Sequence, residues 1–191
     1  MSTLNVTALK HESAGVDNLV LDTSGNATFG GIAKVGSLMN PSGAGSAIAM
    51  DSAGRVTMPY QPAFSATPNT NSYITTSPIP FSFVQVNRGN HYNGSTFKFT
   101  APVDGTYFFC VQMYSRVDNS EDSYPRLRVN NVNQRYSYLY NSGAGGQIHS
   151  TVVMPYIVNL SVNDFVDVSF NGSGDYYGGS NETNFMGYLL G

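Results

Sequence analysis

The sequence predicts an all-β chain whose residues 60–191 form a β-sandwich. Only 11% of residues are charged while 13% are aromatic, poor material for surface helices, which draw on Glu, Lys, Leu and Ala. Twenty glycines, with abundant Asn, Asp and Ser, supply tight turns, and Tyr, Phe and Val favour the strands between them. From residue 60 onward, strand-like runs bounded by turn residues recur at the spacing of a sandwich.

The texture of the chain changes near Met58–Pro59. Residues 1–59 are rich in Ser, Gly, Ala, Thr and Asn, and Phe29 is their sole Phe, Tyr or Trp; from Tyr60 the aromatics crowd in. A domain boundary is expected there. Within 1–59, Leu19–Phe29 aligns with Ile48–Met58, matching Asp22 to Asp51, Gly25 to Gly54 and Thr28 to Thr57. Each copy reads as strand, Asp-Thr/Ser-x-Gly turn, strand: the Asp side chain bonds the turn backbone and Gly supplies positive φ. Two hairpin repeats are therefore predicted, the alternative being a loosely ordered linker most flexible over Asn40–Ser46; either way Gly43–Ser46 is the expected hinge. Isolated hairpins are marginal in water. Apolar surface this sparse requires partners, and identical copies from neighbouring chains are the simplest, as in intertwined trimeric stems.

In the second region, Phe97 and Phe99 alternate with Thr96, Lys98 and Thr100, predicting one buried and one polar face. Pro102-Val103-Asp104-Gly105 turns the chain, with Gly105 expected at positive φ. Tyr107, Phe109, Val111 and Met113 then point one way, and Phe108, Cys110, Gln112 and Tyr114 the other. Both sides are apolar at first, predicting a central strand covered on both faces. The lone Cys110 reads as a small buried hydrophobe. Further strands are expected at 125–130, 135–140, 150–160, 165–170 and 185–190, with a turn at Val162-Asn163-Asp164.

The series Phe81, Asn87, Tyr92, Phe99, Gly105, Tyr107, Phe109 resembles the signature of the complement C1q globular-head family, related to tumour-necrosis-factor ligands. Pro62–Ala66 is similar to that family's first strand, Leu160–Val166 to its late turn and Phe185–Leu190 to its closing strand. The last signature position, normally Phe or Tyr, is Val111 here. The resemblance implies a jelly-roll sandwich (C1q/TNF-like), homotrimeric around aromatic contacts, for which Phe108, Tyr114, Tyr156 and Tyr188 are candidates. It also implies that calcium near the trimer apex is worth testing. The densest acidic cluster, Asp118, Glu121 and Asp122, offers hard oxygen ligands for that ion, but it lacks an Asp-x-Asp-x-Asp-Gly loop. No other cofactor is expected.

Function classes narrow by composition. Net charge is −3, whereas nucleic-acid binding demands a basic excess. No apolar run approaches the roughly 20 residues of a membrane helix, and Met1–Asn5 has neither charged leader nor apolar segment. His11, His91 and His149 lie far apart, no nucleophile, phosphate-loop or metalloprotease motif is present, and no enzyme activity is expected. Tyr on Gly/Ser/Asn-rich loops, by contrast, suits binding surfaces. Tyr138, Tyr140, Asp175, Tyr176, Tyr177 and Asn181 are the candidate receptor contacts. Arg116, Arg126, Arg128 and Arg135 form a basic group near the acidic cluster.

The expectation is a trimeric virion fibre or spike subunit of bacteriophage type. Residues 1–59 would attach to another virion protein, and the head would meet a host cell-surface glycan or protein. A purely structural trimerisation or capsid-decorating knob, and a secreted recognition domain, are the alternatives.

Overall fold

Asp22 and Asp51 close equivalent turns in the computed structural model of the chain, which describes residues 8–9, 19–24, 26–29, 37–39, 46–143 and 145–191. Asp22 Oδ1 accepts from the amides of Ser24 (2.9 Å) and Asn26 (2.8 Å), and the Asn26 side-chain amide donates to Oδ2 at 2.8 Å. Asp51 Oδ1 accepts from the amides of Ala53 (2.9 Å) and Arg55 (3.0 Å), while Arg55 Nε donates to Oδ2 at 2.6 Å. The Arg55 amide and guanidinium hold the Asp51 carboxyl below its ordinary pKa of 3.8. Gly54 sits at φ +79°; its counterpart Gly25 lies outside the described residues, as does Gly43–Gly45, most of the expected hinge.

The repeat is larger than a hairpin. Strand β1 (Ala8–Leu9) pairs antiparallel with β2 (Leu19–Leu21), which pairs with β3 (Ala27–Phe29); β4 (Ser37–Met39), β5 (Ser46–Met50) and β6 (Val56–Thr57) form a second meander. The registers coincide after a shift of 29 residues: Leu9 faces Leu19 as Leu38 faces Ile48, and Leu21 faces Ala27 as Met50 faces Val56. The pleat places Leu38, Ile48, Met50 and Val56 on one face of the second meander, and Ala49 and Thr57 on the other. All four apolar residues are exposed, Leu38 by 52% and Val56 by 56%. The second meander thus carries an apolar face that the described residues of its own unit, Met1–Pro59, leave bare.

The second unit, Tyr60–Gly191, is a sandwich. Its strands are β7 (Ala63–Thr67), β8 (Tyr73–Ile74), β9 (Phe83–Arg88), β10 (Tyr92–Asn93), β11 (Lys98–Thr100), β12 (Gly105–Val117), β13 (Asp122–Val129), β14 (Val132–Tyr136), β15 (Leu139–Tyr140), β16 (Ile148–Leu160), β17 (Phe165–Gly172), β18 (Asp175–Tyr177) and β19 (Asn184–Leu189). One sheet runs β8-β18-β12-β19-β7-β9, with β16 along the other edge of β12. The other runs β10-β11-β17-β13-β14, with β15 beside β13. All pairings are antiparallel. The architecture is an all-β jelly roll.

The inward alternation of β12 builds the core. Tyr107, Phe109, Val111 and Met113 are fully buried. Phe109 meets the rings of Phe64, Phe99, Tyr107 and Phe185 at centroid distances of 5.5–6.3 Å. Phe81, Tyr92 and Phe99 complete the cluster. Buried hydroxyls need partners, and the Tyr92 hydroxyl donates to the Phe81 carbonyl at 2.9 Å. Asn87 pins the same hairpin, its carboxamide bonding both the amide and the carbonyl of Tyr92 at 3.1 and 2.8 Å.

Several local expectations change. Phe97 is half-buried at φ +61°, in the turn before β11, so only Phe99 of that pair lies fully inside. Gly105 has no positive φ; it is required by close approach, since a Cβ there would lie 2.8 Å from Leu189 Cδ1 and 3.1 Å from the Gly191 carbonyl. The strand expected at 135–140 divides into β14 and β15. The second face of β12 is not covered by its own chain: Phe108, Cys110, Gln112 and Tyr114 are all only half-buried.

Candidate assembly face and tyrosine surfaces

That uncovered face is the first candidate site, and strand register defines it. Across the sheet, Val86, Ser65, Met186, Cys110 and Pro155 form one row; Ala63, Tyr188, Phe108 and Ile157 form the next. Val153, opposite Gln112, extends the surface. Val86, Val153 and Ile157 are about half exposed or more, at 49%, 57% and 60%, and Tyr188 is 43% exposed. A contiguous apolar surface of this kind marks an interaction site. Phe108 and Tyr188 pack together at 5.3 Å within it. Of the four aromatics named as trimer contacts, Phe108, Tyr114 and Tyr188 belong to this face. Tyr156 does not; it points inward against the core cluster. Cys110 also sits on this face, not in the core, and burial pushes its thiol pKa up, away from nucleophilic character.

At the far end of the same sheet, charge replaces apolar surface. Arg116 forms a bidentate pair with Asp175, its Nε donating at 3.0 Å, and the guanidinium lies 3.9 Å over the Tyr73 ring. Tyr177 packs on Tyr73 at 5.1 Å, and His149 lies between Tyr73 and Tyr114. Asp175 is thus committed to Arg116 and Tyr177 to Tyr73. Asn181 is exposed in the turn before β19.

Tyr176 corrects the sequence expectation outright. It is wholly buried, packs on Phe170 at 4.9 Å, and its hydroxyl donates to the Thr76 carbonyl at 2.7 Å. Gly-Asp-Tyr-Tyr-Gly reads as a loop, but β18 pairs with both β12 and β8, and the pleat turns Tyr176 inward. No partner reaches it in the folded head.

Tyr138 and Tyr140 lie elsewhere, with no ring contact joining them to Tyr177 among the described residues. They stack at 6.3 Å, and Tyr124 meets Tyr138 at 5.3 Å and Tyr136 at 6.3 Å. Desolvation, then the Asp122 carboxylate 3.4 Å from its hydroxyl, raise the Tyr138 pKa. Tyr124 was not among the candidates, because its juxtaposition with Tyr136 depends on the pairing of β13 with β14.

The acidic cluster disperses. Glu121 accepts from the Asp118 amide at 2.8 Å, Asp118 accepts from Gln147 at 2.8 Å, and Asp122 accepts from the Ser173 amide at 3.0 Å. Among the described residues no three His, Cys, Asp or Glu side chains are grouped to hold a metal ion, so Asp118, Glu121 and Asp122 do not form the expected calcium site. The basic group also divides. Arg128 makes a two-pronged pair with buried Asp167 at 2.8 and 2.7 Å, whereas Arg126 and Arg135 have no carboxylate partner among the described residues.

The C1q domain model matches residues 63–190. Among solved structures, the globular domain of zebrafish complement 1qA protein superposes with a TM-score of 0.53 at 21% identity, covering 68% of this chain and 98% of that one. Murine APRIL, crystallised at pH 5.0, superposes with a TM-score of 0.54 at 9% identity, covering 68% and 99%.

Proposed function

This chain belongs to the C1q domain family, whose domains form homotrimers and bind ligands, and we propose that it is a trimeric fibre or spike subunit of a virion, of bacteriophage type. One observation carries the reading: both units carry apolar sheet faces that the described residues of their own unit leave exposed. In the head this is the Phe108–Ile157–Val153 surface, and in the stem the Leu38–Ile48–Met50–Val56 face. Two further copies of the chain supply cover for both at once. Residues 1–59 form the stem and attach to another virion protein; the head, residues 60–191, presents its opposite sheet to a host cell surface. The repeated Asp-turn meanders support a stem, because repeats that cannot bury a face alone are stabilised by stacking or intertwining.

The native mass by light scattering of the full chain, and of a chain beginning at Tyr60, tests this. The expected outcome is a trimer for both. A monomeric head would transfer assembly to the stem, and two monomers would refute the reading.

A further inference from the structure

The outer surface of the β13–β14 sheet contains a cavity of about 630 Å³ lined by Tyr124, Arg126, Asn133, Gln134, Tyr136 and Tyr138. Its size falls within the roughly 300–1,000 Å³ of small-ligand sites. It lies on the sheet opposite the assembly face, so a trimer carries three.

The lining has a particular chemistry. Tyr136 and Tyr138 are 66% and 55% exposed, offering flat apolar faces to solvent. Arg126 is held between two neighbours. Its guanidinium lies 4.7 Å from the Tyr124 ring centroid. The Asn171 carboxamide oxygen, in the orientation that satisfies its surroundings, accepts from Arg126 Nη2 at 3.3 Å, from the Gly172 amide at 3.2 Å and from the Tyr124 hydroxyl. The two other arginines of β12 and β13 are neutralised by Asp175 and Asp167. Arg126 keeps a charge that no carboxylate of the described chain answers. Asn133 and Gln134 bring two carboxamides, each both donor and acceptor.

We propose that this cavity binds an acidic pyranose, a sugar ring bearing a carboxylate such as a uronic or sialic acid. Arg126 takes the carboxylate, because a guanidinium presents two parallel N–H groups matched to two carboxylate oxygens. The tyrosine faces cover the ring's apolar C–H side, and Asn133 and Gln134 take hydroxyls. The Tyr124–Asn171 support holds Arg126 before the ligand arrives, which reduces the ordering required on binding. The inference rests on reading the head as a recognition domain and names the ligand class of its outer sheet.

The test uses full-length protein and four probes, methyl glucuronide, N-acetylneuraminic acid, methyl glucoside and acetate, titrated by calorimetry and by tyrosine fluorescence. At least one acidic sugar is expected to bind at least tenfold more tightly than the glucoside and acetate. Arg126→Gln removes that preference, and Tyr138→Ala weakens the acidic sugar several-fold, with the native mass unchanged in both. Equal binding of acidic and neutral sugars, acetate binding as tightly as the sugars, an Arg126→Gln variant that keeps the preference, or binding of none of the four would each overturn the proposal. Loss of sugar binding in a chain that still forms trimers and adsorbs to cells defeats this inference alone, whereas a monomeric chain defeats the functional reading itself.

Discussion

The stem and the head face the same problem, hiding the apolar side of a β-sheet, and only the head closes a core of its own. Its two sheets close over Phe64, Phe81, Phe99, Phe109 and Phe185, with no solvent exposure above 3% among them. The stem meanders have the same antiparallel pairing and better repeated turns, yet Phe29 is 54% exposed and Met50 49%. Turn chemistry sets register in both regions; it does not supply burial. A sheet packed over the apolar face does, and among the described residues the apolar face of the second meander stays exposed. Hydrogen bonding by Asp22 and Asp51 therefore defines the shape of the stem without making it self-sufficient, since an intramolecular hydrogen bond contributes only about 1 kcal/mol net.

The largest expected effect tests the head's independence. Phe109→Ala removes the ring at the centre of the aromatic cluster, and a loss of roughly 3–5 kcal/mol is expected, read from urea unfolding followed by tyrosine fluorescence. A loss below about 1 kcal/mol would mean that the head draws its stability from neighbouring copies, as proposed for the stem. A smaller effect is expected in the stem. Asp51→Ala removes the acceptor of the Ala53 and Arg55 amides, so trypsin should cleave after Arg55 several-fold faster while the head's unfolding transition stays in place. An unchanged cleavage rate would show that packing between copies, not the turn, holds the second meander.

The smallest effect is a pH dependence confined to the head. Partial burial of His91 lowers its pKa from 6.5. The folded head then resists a proton that the unfolded chain accepts, so stability is complete above about pH 6.5 and declines as pH falls below it. His91→Gln should flatten that part of the melting-temperature profile. An identical slope in wild type and variant would assign the acid sensitivity to other groups, in either region.

What the sequence disclosed follows the range of the interaction. The Asp-x-x-Gly spacing is local chemistry, and it specified both stem turns. The alternation of β12 is a property of one strand, and it identified Tyr107, Phe109, Val111 and Met113 as core. β1 and β4 escaped notice because two or three residues carry no periodicity; only their pairing partners define them. Tyr176 was misassigned for the same reason, since its burial comes from β8 and β12, both distant in sequence. Arg116 and Asp175 meet across 59 positions, and the six residues around the outer cavity converge from two strands and a loop. Convergence of that kind leaves no mark on spacing. Asp118, Glu121 and Asp122 show the converse, being neighbours in the chain whose carboxylates serve separate backbone and side-chain partners.

The 29-residue recurrence in the stem makes length a quantised property. Each meander contains its own aspartate turn, its own three-strand ladder and its own apolar face, and no hydrogen bond described within one of them depends on the other. Duplicating or deleting residues 30–58 would therefore add or remove one whole meander while leaving the remaining pairings as they are. Such a repeat works as a ruler with a fixed graduation, read only in whole meanders.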